Sequence, residues 1–92
     1  MNRYEKKNFV VKSDSEIDSL SDEQERVKYV VMRDFVKYRK ERGVTQEELA
    51  RRTGIARPNI ARMESGSYNP TIDMLCRMGE AIGMKIDITW RA

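Results

Sequence analysis

The apolar residues of the chain fall into segments whose spacing is typical of helices, separated by short polar segments that contain glycine. In the first such segment, between Ser21 and Gly43, apolar residues recur at steps of three and four, which places them on one face of a helix. They are Val27, Val30, Val31, Phe35 and Tyr38. Ser21 and Gln24 have the spacing of a capping box, and Gly43 is a typical helix end. The pattern predicts an amphipathic helix over this segment.

Three shorter helices are predicted after it, over about residues 46–53, 57–64 and 71–82. The residues that mark their ends are Thr45 with Glu48, Gly54, Pro58, Gly66, Thr71 and Gly83. A glycine ends a helix readily because it adopts a left-handed backbone conformation without strain, and proline fits only the first turn because it has no N–H. The expected core residues are Leu49, Ala50, Ile55, Ile60, Met63, Ile72, Leu75, Met78 and Ile82, together with Phe35, Cys76 and the other methionines.

The last segment has a different period. From Met84 to Trp90, apolar and polar residues alternate, which predicts a half-buried strand. A lone strand would leave backbone donors and acceptors unpaired along both edges. Two partners remain possible, the apolar run Phe9 to Val11 or the same strand of a second subunit. In the second case Ile86, Ile88 and Trp90 would form the dimer contact.

The beginning of the chain mixes charges with that one apolar run and continues into a Ser- and Asp-rich stretch over residues 13–19. We interpret residues 1–20 as a tail or short strand followed by a linker. Residues 21–83 then form a helical domain, and residues 84–92 form a C-terminal strand that is a possible dimerisation element.

Composition narrows the possible functions. The 92 residues fit one domain, and the net charge is only +3, with the positive excess between residues 21 and 66. Histidine is absent and Cys76 is the one cysteine. The chain therefore lacks imidazole for acid-base catalysis or zinc binding, and we expect no enzyme activity, metal or cofactor. No secretory signal or membrane span is evident, so we expect a soluble, cytoplasmic protein.

Two short helices joined by a glycine-containing turn, the second with exposed Arg and Asn, are typical of helix-turn-helix DNA binding. The runs Val44 to Ala50, Gly54-Ile55 and Ile60 to Gly66, followed by Asn69-Pro70-Thr71, resemble the Xre/Cro-like helix-turn-helix family over about residues 34 to 83. The resemblance implies a mainly α, lambda repressor-like fold. We therefore expect a compact bundle of about five helices, plus the short C-terminal strand, and binding to double-stranded DNA.

The candidate base-reading residues lie on the outer face of the second helix of this motif. They are Arg57, Pro58, Asn59 and Arg62, which share a face at steps of one, three and four. Arginine can bond guanine through two hydrogen bonds and asparagine can bond adenine, whereas proline offers apolar contact to a thymine methyl. The alternative is a solvated helix face, with Arg62 paired to Glu64 or Glu80.

The resemblance also implies phosphate contacts around this helix. Gln46, at the start of the first motif helix, would donate a hydrogen bond to a phosphate. Ser65, Ser67 and Tyr68 are further phosphate candidates. The basic stretch from Lys37 to Arg42 is interpreted as a solvated helix end or as support for a phosphate. Ala56 is a weak N-cap for the second helix, which leaves the exact set of base contacts open.

One recognition helix reads too few base pairs to single out a site in a genome, so we expect a homodimer on an inverted-repeat operator. A closer resemblance is to HigA-type antitoxins, based on the leading helix, the run Arg57 to Glu64 and the final run Gly83 to Ile88. It implies a repressor of its own operon that neutralises a RelE/HigB-like mRNA-cleaving toxin.

Candidate toxin-binding residues are Tyr4, Phe9, Val11, Asp22, Glu23 and Glu25. They would act by strand addition or charge complementarity, because such a toxin is basic. The alternatives are a phage-type or metabolic repressor without a toxin partner, and a protein-interaction module that does not bind DNA.

Overall fold

The computed structural model describes residues 12–92, which form five helices. They are α1 (Asp14–Asp18), α2 (Glu23–Glu41), α3 (Gln46–Thr53), α4 (Arg57–Ser65) and α5 (Ile72–Ala81). The predicted mainly helical architecture is therefore confirmed. None of these helices combines the length and the apolar content that crossing a membrane requires. The predictions for Phe9 to Val11 fall outside the described residues.

The starts of α3 and α5 are as predicted. The Thr45 hydroxyl accepts a hydrogen bond from the backbone N–H of Glu48, and Thr71 does the same for Met74. Helix α2 begins one residue later than predicted, because Asp22 rather than Ser21 is its N-cap. The Asp22 carboxylate accepts from the backbone N–H groups of the second and third helical residues, at 2.8 and 3.2 Å. A charged acceptor at this end of a helix also interacts favourably with the helix dipole.

Helix α1 lies in the stretch that was interpreted as a linker, so that interpretation is wrong for residues 14–18. Ser13 and Glu16 form a complete capping box, in which each side chain accepts a hydrogen bond from the other residue's backbone N–H. The pKa of Glu16 is lowered by the hydrogen bond that its carboxylate accepts from the Ser13 backbone N–H, and next by the one it accepts from the Ser13 hydroxyl. Ile17 is the buried residue of the helix, and its burial fixes α1 against α2.

The core lies between the helices and is built mainly from the predicted residues. Its buried members are Met32, Val44, Leu49, Ile55, Ile60, Met63, Met78 and Ile82. Phe35, Leu75 and Met84 are half-buried against this cluster. Two predicted core residues are instead on the surface of α5. Ile72 is 64% exposed and Cys76 is exposed, because the core face of this helix is set by Met78, and neither residue shares that face.

The turn between α3 and α4 has the predicted chemistry. Gly54 ends α3 in the left-handed conformation at φ 76°, and its backbone N–H donates to the carbonyl of Ala50. Helix α4 begins after Ala56, which provides no side-chain hydrogen bond, and Pro58 lies in the first turn. The helix that carries the candidate base-reading residues is therefore positioned by packing more than by its own cap.

The C-terminal strand is not confirmed, because residues 12–92 contain no strand. The backbone N–H of Met84 donates to the Gly79 carbonyl at 2.9 Å, and from Lys85 onward no backbone–backbone hydrogen bond forms within the described chain. A strand is defined by a neighbour to pair with, and residues 12–92 provide no such neighbour for this segment. Met84 and Ile86 are half-buried, whereas Ile88 and Trp90 are 57% and 97% exposed.

Gly66, at the end of α4, combines two constraints. Its φ of 84° is left-handed, and a Cβ at this position would overlap the ring of Tyr29 on α2. Gly54 has a similar φ but open space around the position of a Cβ. The two glycines therefore separate the cost of backbone strain from the cost of a steric clash.

We expect Gly54→Ala to lower the free energy of unfolding by about 1 kcal/mol, from left-handed strain alone. Gly66→Ala should cost about 1 to 3 kcal/mol more, because the new methyl must displace the Tyr29 ring. Urea denaturation of the two variants measures the difference. In a Tyr29→Ala background the extra cost of Gly66→Ala should disappear, and its persistence there would contradict the clash.

Candidate nucleic-acid interface

The four candidate base-reading residues lie together on the outer side of α4. Arg57 and Pro58 are exposed, and Asn59 and Arg62 are partly exposed. The Arg62 guanidinium donates to the Asn59 side-chain oxygen at 3.3 Å. Of the core residues of this helix, Ile60 and Met63 are fully buried. Helix α4 is thus divided into a packed side and a polar side that can reach a ligand.

A buried ion pair holds α4 against α2. The Arg39 guanidinium donates twice to the Glu64 carboxylate, through Nε at 2.7 Å and Nη2 at 2.8 Å. Its third donor, Nη1, bonds the Val44 carbonyl at 2.8 Å, in the turn between α2 and α3. The two side chains are only 9% and 4% exposed. Two parallel hydrogen bonds to a carboxylate are the geometry in which an arginine ion pair is strongest.

Gln46 extends this ion pair to the surface. Its Nε2 donates to Glu64 Oε1 at 2.9 Å, and it is the first residue of α3. Because a carboxylate can only accept, the amide nitrogen must face Glu64, which fixes the orientation of the side chain. That nitrogen carries a second N–H, beside the backbone N–H groups of the first turn of α3. This arrangement is suited to an anionic oxygen such as a phosphate.

Arg39 was interpreted as part of a basic helix end from Lys37 to Arg42, and the structure corrects this. Arg39 is buried, and Glu64 bonds Arg39 rather than Arg62. The sequence contained a signal for this pair. Arg39 lies three residues after Val36, which the structure places on the buried face of α2, and Glu64 lies four after Ile60 on α4. A charge on a buried face requires a buried partner.

The residues after α4 differ in their access to solvent. Ser65 is 5% exposed, and its hydroxyl donates to the Arg62 carbonyl at 3.0 Å. Its burial argues against the phosphate contact predicted for it. Ser67 and Tyr68 are exposed and lie beyond the end of α4. The described surface therefore retains Gln46, Ser67 and Tyr68 as phosphate candidates.

Arg52 fastens α3 to α5. Arg52 bonds Glu48 at 2.8 Å and the Ala81 carbonyl, near the end of α5, at 2.8 Å. Arg51 bonds the same Glu48. The hydrogen bond from Arg51 and then that from Arg52 lower the pKa of Glu48. These two arginines are thus already engaged within the fold.

The acidic residues at the start of α2 all have partners in their own helix. Asp22 is the N-cap, Glu23 bonds Arg26 at 2.8 Å, and Glu25 bonds Lys28 at 3.2 Å. These contacts explain the cluster without a partner protein. The other candidate toxin-binding residues, Tyr4, Phe9 and Val11, lie outside the described residues.

Comparison with known families gives a match over residues 36–88, to a family described as helix-turn-helix. The chain belongs to this helix-turn-helix family. The match runs from the second half of α2 through α5 and includes the whole interface around α4. It confirms the Xre-like part of the resemblance found in the sequence.

Several relatives of this helix-turn-helix protein are named as uncharacterized HTH-type transcriptional regulators. One from Methanothermobacter thermautotrophicus is 46% identical over 46 residues, 50% of this chain and 67% of the relative. One from Sinorhizobium fredii is 36% identical over 50 residues, 54% of this chain and 65% of the relative. One from Methanocaldococcus jannaschii is 34% identical over 50 residues, which are 54% of this chain and 76% of the relative. No solved structure matches the chain significantly.

The buried ion pair of this helix-turn-helix protein predicts a contrast between two arginines of α2. Arg39→Met leaves the Glu64 carboxylate buried without its partner, and we expect it to cost about 3 to 5 kcal/mol of unfolding free energy. Arg26→Met removes the exposed pair with Glu23 and should leave the melting temperature nearly unchanged. Thermal and urea denaturation of both variants test this. Equal losses would show that burial of the pair is unimportant.

Proposed function

We propose that this protein is a sequence-specific transcriptional repressor that binds double-stranded DNA as a homodimer on an inverted-repeat operator. The observation that carries the proposal is the polar outer side of α4, where Arg57, Asn59 and Arg62 lie together on a helix whose other side is packed in the core. The HTH family match and the names of the relatives support DNA as the ligand. A cytoplasmic location, in a cell without a nucleus, is part of this proposal.

In this proposal α4 enters the major groove and its side chains read base edges. Arg57 and Arg62 are suited to guanine and Asn59 to adenine, while Pro58 offers an apolar surface to a thymine methyl. Gln46 donates its second N–H to a phosphate, and Ser67 and Tyr68 contact the backbone beyond the recognition helix. Arg39 matters to this contact because it balances the charge of Glu64, which would otherwise repel the phosphate near Gln46.

The proposed homodimer follows from the length of DNA that one helix reads. Two copies related by a two-fold axis would contact half-sites about one helical turn apart. Ile86, Ile88 and Trp90 are the proposed dimer contact. The exposure of Ile88 and Trp90 supports this, because apolar side chains grouped on one exposed segment are typical of interaction surfaces.

We extend the proposal to the role of antitoxin in a type II toxin-antitoxin module, neutralising a RelE/HigB-like mRNA-cleaving toxin. Its support is the sequence resemblance to HigA-type antitoxins. Tyr4, Phe9 and Val11 are the proposed strand that joins the toxin, and Asp22, Glu23 and Glu25 the proposed acidic contact. A phage-type or metabolic repressor would bind DNA equally well and have no such partner.

Substitutions of Arg62 and Gln46 distinguish a contact to a base from a contact to a phosphate. Arg62→Ala should weaken operator binding by about 1 to 3 kcal/mol and random-sequence binding much less, because a base contact carries specificity. Gln46→Ala should weaken both by similar factors, because a phosphate contact does not read sequence. Fluorescence anisotropy with both DNAs over a range of salt concentrations measures this.

Arg77→Ala is the matched control, since Arg77 is an exposed arginine on α5 paired with Asp73. It should bind as the parent protein does. Equal losses for Arg62→Ala on both DNAs would refute its base-reading role. Binding to no DNA at all, with no dependence on salt, would instead indicate a protein-interaction module.

The antitoxin role predicts a complex with a small basic protein encoded beside this chain. Co-expression should yield a complex that purifies together, and Glu23→Lys combined with Glu25→Lys should weaken it by charge repulsion. Glu41→Lys, at the other end of α2, is the control. Failure of the neighbouring product to bind the full-length chain would contradict the antitoxin role while leaving DNA binding intact.

A further inference from the structure

An apolar trench runs between α2 and the C-terminal segment, with a volume of about 510 Å³. Val27, Val31 and Phe35 of α2 form one wall, residues 84–89 form the other, and Leu75 and Ile82 lie at the bottom. The segment runs back along α2. At its end, Arg91 contributes to lowering the pKa of Glu23, after the larger effect of the Arg26 hydrogen bond. The exposed segment thus lies beside α2 rather than being directed away from it.

This segment combines two features that call for a partner. From Lys85 onward, its backbone groups make no hydrogen bond to other backbone groups of the described chain. Its apolar side chains also become more exposed along its length, from half-buried Ile86 to Ile88 and then Trp90. A partner strand would satisfy the backbone and cover the apolar side chains together.

We infer that two copies of residues 86–92 pair as antiparallel strands with the two-fold axis at Thr89. This inference rests on the proposed homodimer and specifies its register. In antiparallel pairing about Thr89, position 87 lies opposite 91, position 88 opposite 90, and Thr89 opposite itself. Each position then faces a residue of matching chemistry.

Three kinds of favourable cross-strand pair result. Asp87 faces Arg91 of the partner subunit, Ile88 faces Trp90 of the partner subunit, and the two Thr89 residues face each other. Opposite charges, aromatic with β-branched residues, and paired threonines are the combinations that stabilise adjacent strands. The first two occur twice, because of the symmetry. The partner subunit's Trp90 also comes to the mouth of the trench, since Ile88 is part of its wall.

Neighbouring registers are less favourable. Pairing about Ile88 sets Lys85 against Arg91 of the partner subunit, and pairing about Asp87 sets the two Asp87 carboxylates against each other. Like charges directly opposite are destabilising. Pairing about Ile86 brings Lys85 opposite Asp87 but leaves Trp90, the most exposed apolar residue, without a strand residue opposite it. The Thr89 register is the one that covers Ile88 and Trp90 and also pairs the charges.

A charge-reversal cycle in the full-length chain tests this register. Asp87→Arg should raise the dimer dissociation constant about tenfold, and Arg91→Asp should do the same, because each change creates two like-charge pairs. The double variant should return the constant to within about threefold of the parent. Lys85→Asp is the matched control and should change it less than twofold. Sedimentation at low ionic strength measures the dissociation constants of the parent and the four variants, with thermal melting as a check on folding.

A second measurement does not depend on charge. In a Cys76→Ser background, Thr89→Cys should form a disulfide-linked dimer under mild oxidation, and Ile86→Cys should not, because only directly opposite residues approach closely enough. Weakening by Lys85→Asp together with Ile86→Cys cross-linking would overturn the inference in favour of the Ile86 register. A dimer that is insensitive to all these changes would overturn it while leaving the proposed dimer and its DNA binding intact. A monomer at every concentration would overturn both dimer claims.

Discussion

The fold depends on one buried contact, the ion pair between Arg39 and Glu64. Moving either charge out of water is costly, and the two hydrogen bonds between them, with the further bonds to the Val44 carbonyl and the Gln46 amide, satisfy both groups. Through these bonds α2, α4, the turn after α2 and the start of α3 are fixed to a single point. The apolar core provides most of the driving force, but it is not directional. The hydrogen bonds of the ion pair are directional, so they add a geometric constraint on how α2 and α4 meet.

This arrangement explains how a short and weakly capped helix is held in a defined orientation. Ala56 provides no cap, so the orientation of α4 depends on contacts at its other end and along its buried side. Glu64 and the Gly66 turn against Tyr29 both act in its last turn. Arg57 and Asn59 therefore lie in the first turn of a helix whose position is fixed by contacts in its last turn.

Most of the helical structure is visible in the sequence because caps and periodicity are local. Thr45, Thr71 and Gly54 mark their helix ends as expected, since each acts on neighbours within a few residues. Helix α1 was missed although its Ser13 and Glu16 carry the same signal, because only one buried residue accompanies it. Cys76 was wrongly expected in the core, because its side chain is apolar but does not lie on the face of α5 that Met78 occupies.

The candidate site also combines features that local sequence patterns predict with features that depend on contacts between distant parts of the chain. The grouping of Arg57, Asn59 and Arg62 follows from helix geometry, so the sequence was sufficient to predict it. The joining of Arg39 to Glu64 spans 25 positions and depends on how two helices cross, which periodicity within each helix does not specify. The predicted C-terminal strand is not found among residues 12–92, because alternation identifies an apolar and a polar face, whereas a strand also needs a neighbour to pair with.

The two sides of α4 have a consequence for how such a protein could change its target. Residues that hold the helix in place, such as Glu64 and Met63, point inward, and those that would meet DNA are separate from them along the same nine residues. In the proposed function, exchanges at Arg57 or Asn59 would alter which sequence is recognised while leaving the packed side of the helix unchanged. A scaffold of this kind could then acquire new operators through a few surface substitutions, without an intermediate that fails to fold.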